Sequence, residues 1–298
     1  SGIHSAIQST LEFQTALRRM NGLAGVSEEK LSELGERFRT STERLGFGTN
    51  QTEIVKGTQS LLAAGYTDVD TAATIAEQGA KFAKASGMED TQKAIELLGS
   101  TMLAFDADAS EAERFANMLI NTTDQGLITP EQLYQSLGRF SPLAAQAGLT
   151  AEETLALAGT STATGTRAET AITGLAQIVS KLVSPTVEGK AIMEKLGLKI
   201  DADAIRSKGI LQVIKEIREA TKGDLDLIKK LVGTQRGANV FATLDQGGSY
   251  DLLERNIANA SNPAAMQQRL GEVMKTAQAQ WEVVVSNIRS AFMWLGNT

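Results

Sequence analysis

The fold is decided by the stretch Gly148-Leu-Thr150-Ala-Glu152-Glu153-Thr-Leu155-Ala-Leu157-Ala158, which is followed by Gly165-Thr-Arg167-Ala168-Glu169-Thr170-Ala171-Ile172, Ser184-Pro185-Thr186 and Leu196-Gly197-Leu198. Thr150 and Glu153 have the spacing of a capping box, in which each side chain accepts a hydrogen bond from a backbone N–H at a helix start. A glycine followed by an apolar residue is typical of a helix end. The stretch therefore predicts successive helices joined by short turns, and no catalytic group is concentrated in it.

The same start signal recurs along the chain. Capping boxes or close variants of them are predicted at Asn50/Glu53, Ser110/Glu113, Thr129/Gln132 and Thr150/Glu153. Each of these pairs places a short oxygen-bearing side chain three residues before an acid or amide. The sequence therefore predicts a helix beginning at each of them.

Helix ends are predicted at glycines that are followed by an apolar residue. The pairs are Gly25-Val26, Gly46-Phe47, Gly65-Tyr66, Gly87-Met88, Gly126-Leu127, Gly148-Leu149 and Gly197-Leu198. Asp106 marks the one predicted helix end at which no such glycine is present. Helices of about 15 residues with short turns pack antiparallel to their neighbours. We expect an irregular helical bundle or a loose α-solenoid.

Composition favours an all-α protein. The chain has 298 residues, 42% of them hydrophobic but only 5% aromatic, and four prolines. Few prolines favour helices because an interior proline breaks the hydrogen-bond ladder. The chain has no cysteine, which excludes disulfides and thiolate zinc sites. Its single histidine, His4, is predicted to be an exposed residue without a function.

Apolar residues recur at the helical period of 3.6. Core-facing sets are Leu133, Leu137 and Phe140; Ile172, Leu175, Val179 and Leu182; and Leu211, Ile214 and Ile217. A further set has the 3–4 spacing of a coiled coil: Met266, Leu270, Val273, Ala277, Trp281, Val284, Ile288, Ala291 and Leu295. This last set predicts one long amphipathic helix, with the potential to form a homo-oligomer.

Three consecutive segments are predicted: a helical array over 1–197, shorter helices over 198–262, and the long helix over 263–298. The second segment opens at Leu198–Asp203, where a turn or a small β element is expected. The chain starts Ser1-Gly2 and ends directly after an amphipathic run, so we expect it to be part of a larger protein. No run of about 18 apolar residues predicts a membrane span, and no signal peptide is predicted.

Charge argues against nucleic-acid binding. The formal net charge is −6, and the basic residues are scattered rather than clustered. Sequence-specific nucleic-acid recognition is therefore not expected.

Chemistry-bearing patterns are interpreted as helix caps and turns. The carboxylate pairs Asp68/Asp70, Asp106/Asp108, Glu152/Glu153 and Asp201/Asp203 lie at predicted turns or helix starts, where the helix dipole favours them. Asp106–Ser110 opens like a calcium loop but has Glu111 where the loop needs glycine. Gly233–Gly237 lacks the Gly-Lys-Ser/Thr of a phosphate loop, and Thr160–Thr164 has no nearby base. No catalytic, cofactor or metal residue is predicted.

The two tryptophans, Trp281 and Trp294, are candidate contacts for a partner protein, because exposed aromatic side chains mark interfaces. They are 13 residues apart on the final predicted helix. We expect them to lie on roughly one side of it, either in the core or against a partner.

In order along the chain, several motifs resemble the conserved core of phage tail tape measure proteins. They are Leu45-Gly46 with Thr49, Glu53 and Leu61-Leu-Ala-Ala-Gly65; Phe105-Asp-Ala107; Phe115-Ala-Asn-Met-Leu119; Leu133-Tyr-Gln-Ser-Leu137; the Gly148–Gly197 stretch; and Leu231-Val-Gly233 with Arg236 and Gly237. One departure is Ala168-Glu169-Thr170, where the family has Ala-Gly-Thr. Glu169 implies ordinary helical geometry at that point.

The resemblance implies a structural component of a phage or prophage tail that sets tail length during tube assembly and takes part in DNA ejection. It implies contacts with the tail tube protein, tail assembly chaperones and tail tip or baseplate proteins. The implied location is the tail interior of the virion, with assembly in the host cytoplasm. Two alternatives are an α-helical adaptor unrelated to phage and a peptidoglycan hydrolase domain linked to a tape measure.

Overall fold

The computed structural model describes residues 2–46, 49–246 and 248–295, and these residues contain helices and turns but no β-strand. The helices are α1 Gly2–Ala24, α2 Glu28–Leu45, α3 Gln51–Ala64, α4 Val69–Ser86, α5 Thr91–Ala104, α6 Ala112–Gln125, α7 Pro130–Gln146, α8 Ala151–Ala163, α9 Ala168–Val183, α10 Val187–Lys195, α11 Ala202–Lys208, α12 Ile210–Thr221, α13 Leu225–Val232, α14 Gln235–Leu244, α15 Ser249–Asn259, α16 Ala265–Met274 and α17 Ala277–Leu295. A 3-10 turn, Ala109–Glu111, precedes α6. The predicted all-α fold is confirmed.

The helices form two compact units. The first comprises Ser1–Met102, Ala107–Ala116 and Pro263–Thr298, and the second comprises Leu103–Asp106 and Asn117–Asn262. Each unit thus joins stretches that are not consecutive in sequence. The division into 1–197, 198–262 and 263–298 describes the chain differently and stays a prediction.

In the first unit, α3 packs against α1 and α4, and α4 also contacts α16. The core of this unit depends on glycines inside helices. Ile95 of α5 fills the space left by Gly57 of α3 and Gly79 of α4; a Cβ on Gly79 would lie 2.7 Å from the Ile95 Cα. Real Cβ atoms do not approach that closely, so the three helices need these two glycines in order to pack.

An ion-pair cluster joins α2 to α4. Arg37 donates from Nε to Glu77 Oε1 (2.9 Å) and from Nη2 to Glu77 Oε2 (2.7 Å), which is the bidentate geometry. Ser41 also donates to Glu77, and Lys30 pairs with Asp70 at 2.9 Å. The hydrogen bond to Glu77 raises the pKa of Arg37.

In the second unit, α9 packs against α7 and α14, while α8 packs against α15. The predicted stripes Leu133/Leu137/Phe140 and Ile172/Leu175/Val179/Leu182 are all buried there. In α12 the buried side is Ile210, Val213, Ile214 and Ile217, and Leu211 is only half-buried. The prediction is therefore confirmed for Ile214 and Ile217 and is wrong for Leu211, whose place in the core is taken by Ile210.

Two predicted capping boxes are confirmed, at Thr129/Gln132 and Thr150/Glu153. The predicted box at Ser110/Glu113 is wrong, since Asp108 and Glu111 form it two residues earlier. Asp108 already faces the free N–H groups of the 3-10 turn, and its hydrogen bond from the backbone N–H of Ser110 lowers its pKa.

Glu153 has a role beyond its own helix. Its Oε2 accepts from the Thr150 N–H (2.9 Å), and its Oε1 accepts from the Ile210 N–H (2.8 Å) at the start of α12. The residue is only 8% exposed. One buried carboxylate therefore caps both α8 and α12, and α12 has no cap from its own N-cap side chain because that residue is Gly209.

The predicted helix ends are confirmed in backbone geometry at six glycines and at Asp106, all of which have positive φ. The glycines are Gly25, Gly46, Gly65, Gly87, Gly148 and Gly197; Phe47, paired with one of them, lies outside the described residues. The predicted helix end at Gly126 is also confirmed, since α6 ends at Gln125, but Gly126 has no positive φ and is not a left-handed cap. A Cβ there would lie 2.5 Å from Thr162 Oγ1 and 2.8 Å from the Gly159 carbonyl oxygen, so close packing is what requires the glycine.

One further expectation is corrected. The predicted helix over 263–298 is two helices, because α16 ends at Met274 and α17 begins at Ala277. Between them the Thr276 hydroxyl donates to the Val273 carbonyl (3.1 Å), which competes with helix continuation. Residues 296–298 lie outside the described residues. Of the two alternatives expected at Leu198–Asp203, a turn or a small β element, the structure has the turn, and Asp201 there caps α11 by accepting from the Ala204 N–H (2.7 Å).

Replacing Gly79 with alanine tests the glycine contacts of the first unit. We expect the free energy of unfolding to fall by about 1–3 kcal/mol, because the added Cβ collides with the Ile95 backbone. Chemical denaturation measures the change. The matched control is Gly138→Ala in α7, where a Cβ meets nothing within 4 Å; it should stabilise by up to about 1 kcal/mol. Equal effects of the two substitutions would contradict the packing argument.

Replacing Glu153 with alanine tests the shared cap. We expect a loss of about 2 kcal/mol in the free energy of unfolding, since two N–H groups lose their acceptor. The control is Glu131→Ala, an exposed glutamate in the first turn of α7, which should stay within about 0.5 kcal/mol of the parent. A similarly small change in the free energy of unfolding for Glu153→Ala would show that water replaces the carboxylate as the acceptor for the two N–H groups.

Candidate partner-binding surface

Helix α17 presents one side to the other helices of the first unit. Its Met293 and Ser290 are buried, and it packs against α1 and α2. Gly46, at the end of α2, allows close approach, because a Cβ there would lie 2.5 Å from Val283 Cγ2. These contacts fix the position of α17 against α1 and α2.

The other side of α17 is apolar and exposed. We call Trp281, Val284, Ile288 and Phe292 the outer face of α17; their exposed fractions are 67%, 47%, 51% and 57%. They follow one another at spacings of three or four residues, which places them on one stripe. A contiguous apolar stripe of this kind is typical of a protein-binding surface.

The two tryptophans do not share a side of α17. At about 100° per residue, a separation of 13 residues turns the second indole by roughly 220° from the first. Trp294 lines a cavity of about 300 Å³ together with Phe13 and Leu17 of α1, whereas Trp281 lies on the outer face. The expectation that they lie on one side is therefore wrong, although both are exposed.

A groove extends the outer face of α17 toward α1. It has a volume of about 340 Å³ and lies between Ser5, Ala6 and Ser9 of α1 and Ile288 and Phe292 of α17. Ile7 and Leu11 of α1 are also exposed. An apolar groove between two helices can receive the apolar side of a third helix.

Beneath α17 the packing is incomplete. Gln51 is buried, and its Nε2 donates to Met293 Sδ at 3.1 Å. Its Oε1 has no hydrogen-bond partner among the described residues. Gln51 also borders two cavities of about 300 and 290 Å³. An unpaired buried polar atom is destabilising, so the contact between Gln51 of α3 and α17 costs part of the free energy that the packing gains.

One carboxylate of each pair interpreted as capping does cap a helix: Asp68, Asp108, Glu153 and Asp201. Asp68 accepts from the backbone N–H (2.7 Å) and hydroxyl (2.8 Å) of Thr71, and these bonds lower its pKa. Gly233 ends α13 in the left-handed region and Thr234 caps α14, which confirms a turn between helices.

The described part of the chain contains no cluster of three or more metal-binding side chains. Nor does any described helix have the length and apolarity needed to cross a bilayer. His4 is exposed, as predicted.

A family model described as "Phage-related minor tail protein" matches residues 10–233. The chain belongs to this family. The match includes all of α2 to α13 and the stretch from Gly148 to Gly197, and it ends before α17. Membership removes the support for an adaptor unrelated to phage.

Two curated relatives match nearly the whole length of the chain. The "Tape measure protein" of Pneumococcus phage Dp-1 is 26% identical over 288 residues, which is 92% of this chain and 24% of the relative. The "Probable tape measure protein" of Escherichia phage P2 is 24% identical over 294 residues, 93% of this chain and 36% of the relative. The chain thus spans about a quarter to a third of these relatives. No solved structure matches.

Sequence reasoning identified part of this surface. The 3–4 spacing singled out Trp281, Val284 and Ile288, but missed Phe292 and the exposed α1 residues Ile7 and Leu11. The signal for Phe292 was present, since it lies four residues after Ile288. No local signal shows that α1 lies beside α17, because their contact depends on the folded unit.

Proposed function

We propose that this chain is a folded part of a tape measure protein, which sets tail length during tube assembly and takes part in DNA ejection. Family membership and the names of the two relatives support this proposal. The observation that carries it is the family match over residues 10–233, which includes the two confirmed capping boxes.

The proposed role in the phage tail implies binding partners for this chain. The tail tube protein, tail assembly chaperones and tail tip or baseplate proteins are the proposed contacts, inside the virion tail or, during assembly, in the host cytoplasm. Trp281 and Trp294 are proposed contact residues because their indoles are exposed.

A second copy of this chain is the proposed occupant of the outer face of α17. The four side chains of that face carry no charge, so two acidic chains with a formal net charge of −6 each can meet there without pairing like charges. The 3–4 spacing is that of helices that pack against one another. The proposal therefore favours an interface in which α17 packs against α17.

Tail length in the parent virus tests the proposed role. We expect an in-frame deletion of this segment to shorten tails by up to about 450 Å, the length of 298 residues in one continuous helix at about 1.5 Å per residue. Electron microscopy of the particles measures it. Tails of normal length that fail to infect would instead support the ejection role, and absent tails would support a role in assembly initiation. Normal, infectious particles would overturn the proposal.

Sedimentation velocity tests the α17 interface. We expect the chain to self-associate with rising concentration, and Ile288→Glu to abolish this, because each interface would then bury two carboxylates. The control is Val187→Glu, an exposed apolar position (91%) in the second unit, which should leave self-association unchanged. A chain that stays monomeric at high concentration, or an Ile288→Glu variant that still associates, contradicts the second-copy proposal.

A further inference from the structure

A cleft lies along α7 and α9 in the second unit. Its volume is about 760 Å³, more than twice that of the groove beside α17. The walls include Gln135 and Arg139 of α7, Arg167 in the turn before α9, and Ile172 of α9. Its volume falls within the range of about 300–1,000 Å³ that ligand sites occupy.

Two arginines line this cleft without an anionic partner. Arg139 and Arg167 are both exposed, and neither side chain forms an ion pair or hydrogen bond with another residue that the structure describes. By contrast, Arg37, Arg206 and Arg218 each pair with a carboxylate. A guanidinium recognises a carboxylate through two parallel N–H donors.

The acidic residue of the cleft does not neutralise the arginines. Glu169 lies in the first turn of α9, two residues after Arg167, and makes no ion pair with Arg139 or Arg167. A carboxylate in that turn is favoured by the helix dipole. The cleft therefore carries two positive charges against one negative charge, on a chain whose formal net charge is −6.

The remaining wall combines apolar surface with uncharged polar groups. Leu127 is 71% exposed at the edge, and Phe140 and Ile172 form buried parts of the lining. Ser136, Thr166 and Thr173 contribute hydroxyl groups. Such a lining accommodates apolar side chains as well as carboxylates.

We propose that this cleft binds an acidic peptide segment of a partner protein. Carboxylates of the segment pair with Arg139 and Arg167, while an apolar side chain covers Leu127. Two arginines suit a short acidic segment better than a nucleic-acid backbone, because phosphate tracks need several clustered cations. The inference does not rest on the proposed tail function.

Fluorescence anisotropy with a labelled Glu-Leu-Glu-Glu-Leu-Glu peptide and the full chain tests the proposal. We expect the peptide to bind the parent chain. Its affinity should fall about tenfold for each of the substitutions Arg139→Glu and Arg167→Glu, because a charge-assisted pair is replaced by repulsion. The Gln-Leu-Gln-Gln-Leu-Gln peptide should bind at least about tenfold more weakly than the acidic one.

The matched control is the double variant Arg236→Glu and Arg255→Glu. It makes the same charge change in the same unit, at positions that do not line the cleft, and should bind the acidic peptide as the parent does. If the double reversal in the cleft loses its helical circular dichroism, the neutral single variants Arg139→Gln and Arg167→Gln decide the question.

Three results would overturn the proposal. The acidic peptide could fail to bind, or it could bind equally well to the parent and to folded cleft variants. Finally, a single-stranded DNA 10-mer could displace the peptide with the same dependence on Arg139 and Arg167, which would assign the cleft to phosphates. None of these results bears on tail length, so the two proposals fail independently.

Discussion

The structure depends on satisfying the backbone groups at helix ends. Many short helices create many N–H and C=O groups without a partner in their own helix. Glu153 shows how the chain meets this constraint in a buried place, since one carboxylate accepts from the starts of α8 and α12. Glu53 does something related in the first unit: it lies in the first turn of α3 and accepts from the Thr91 N–H (3.0 Å) at the start of α5. In both units, a glutamate from one helix start fixes the position of another helix.

The second constraint is how closely the helices approach. Gly57 and Gly79 admit Ile95, and Gly174 of α9 lies against Val240 of α14. Contacts of this kind bring helix backbones together without large aromatic side chains, and only 5% of the residues are aromatic. The core is built from small and branched side chains whose fit depends on the absence of a Cβ at a few positions.

Local features of the fold were predictable from sequence, and features that need a distant partner were not. Thr150 and Glu153 are three residues apart, so their capping box is visible in the sequence. The second hydrogen bond that Glu153 accepts, from the Ile210 N–H, joins residues 57 positions apart, and no local sequence pattern predicts it. Gly126 illustrates the same limit, because the sequence suggested a cap while the reason for the glycine is its contact with α8. In the candidate surface, spacing identified the stripe on α17, but the break at Thr276 and the position of α1 depend on competing hydrogen bonds and on tertiary packing.

The first unit combines stretches from both ends of the chain, and this has a consequence for synthesis on the ribosome. Residues 1–116 emerge roughly 150 residues before α16 and α17, the helices that pack against α4, α1 and α2. At about 5–20 residues per second, that interval lasts roughly 8 to 30 s. During this time the inner contacts of α17, including the side chain of Gln51, are open to solvent. The core of the nascent first unit is therefore incomplete until the last helices have been translated.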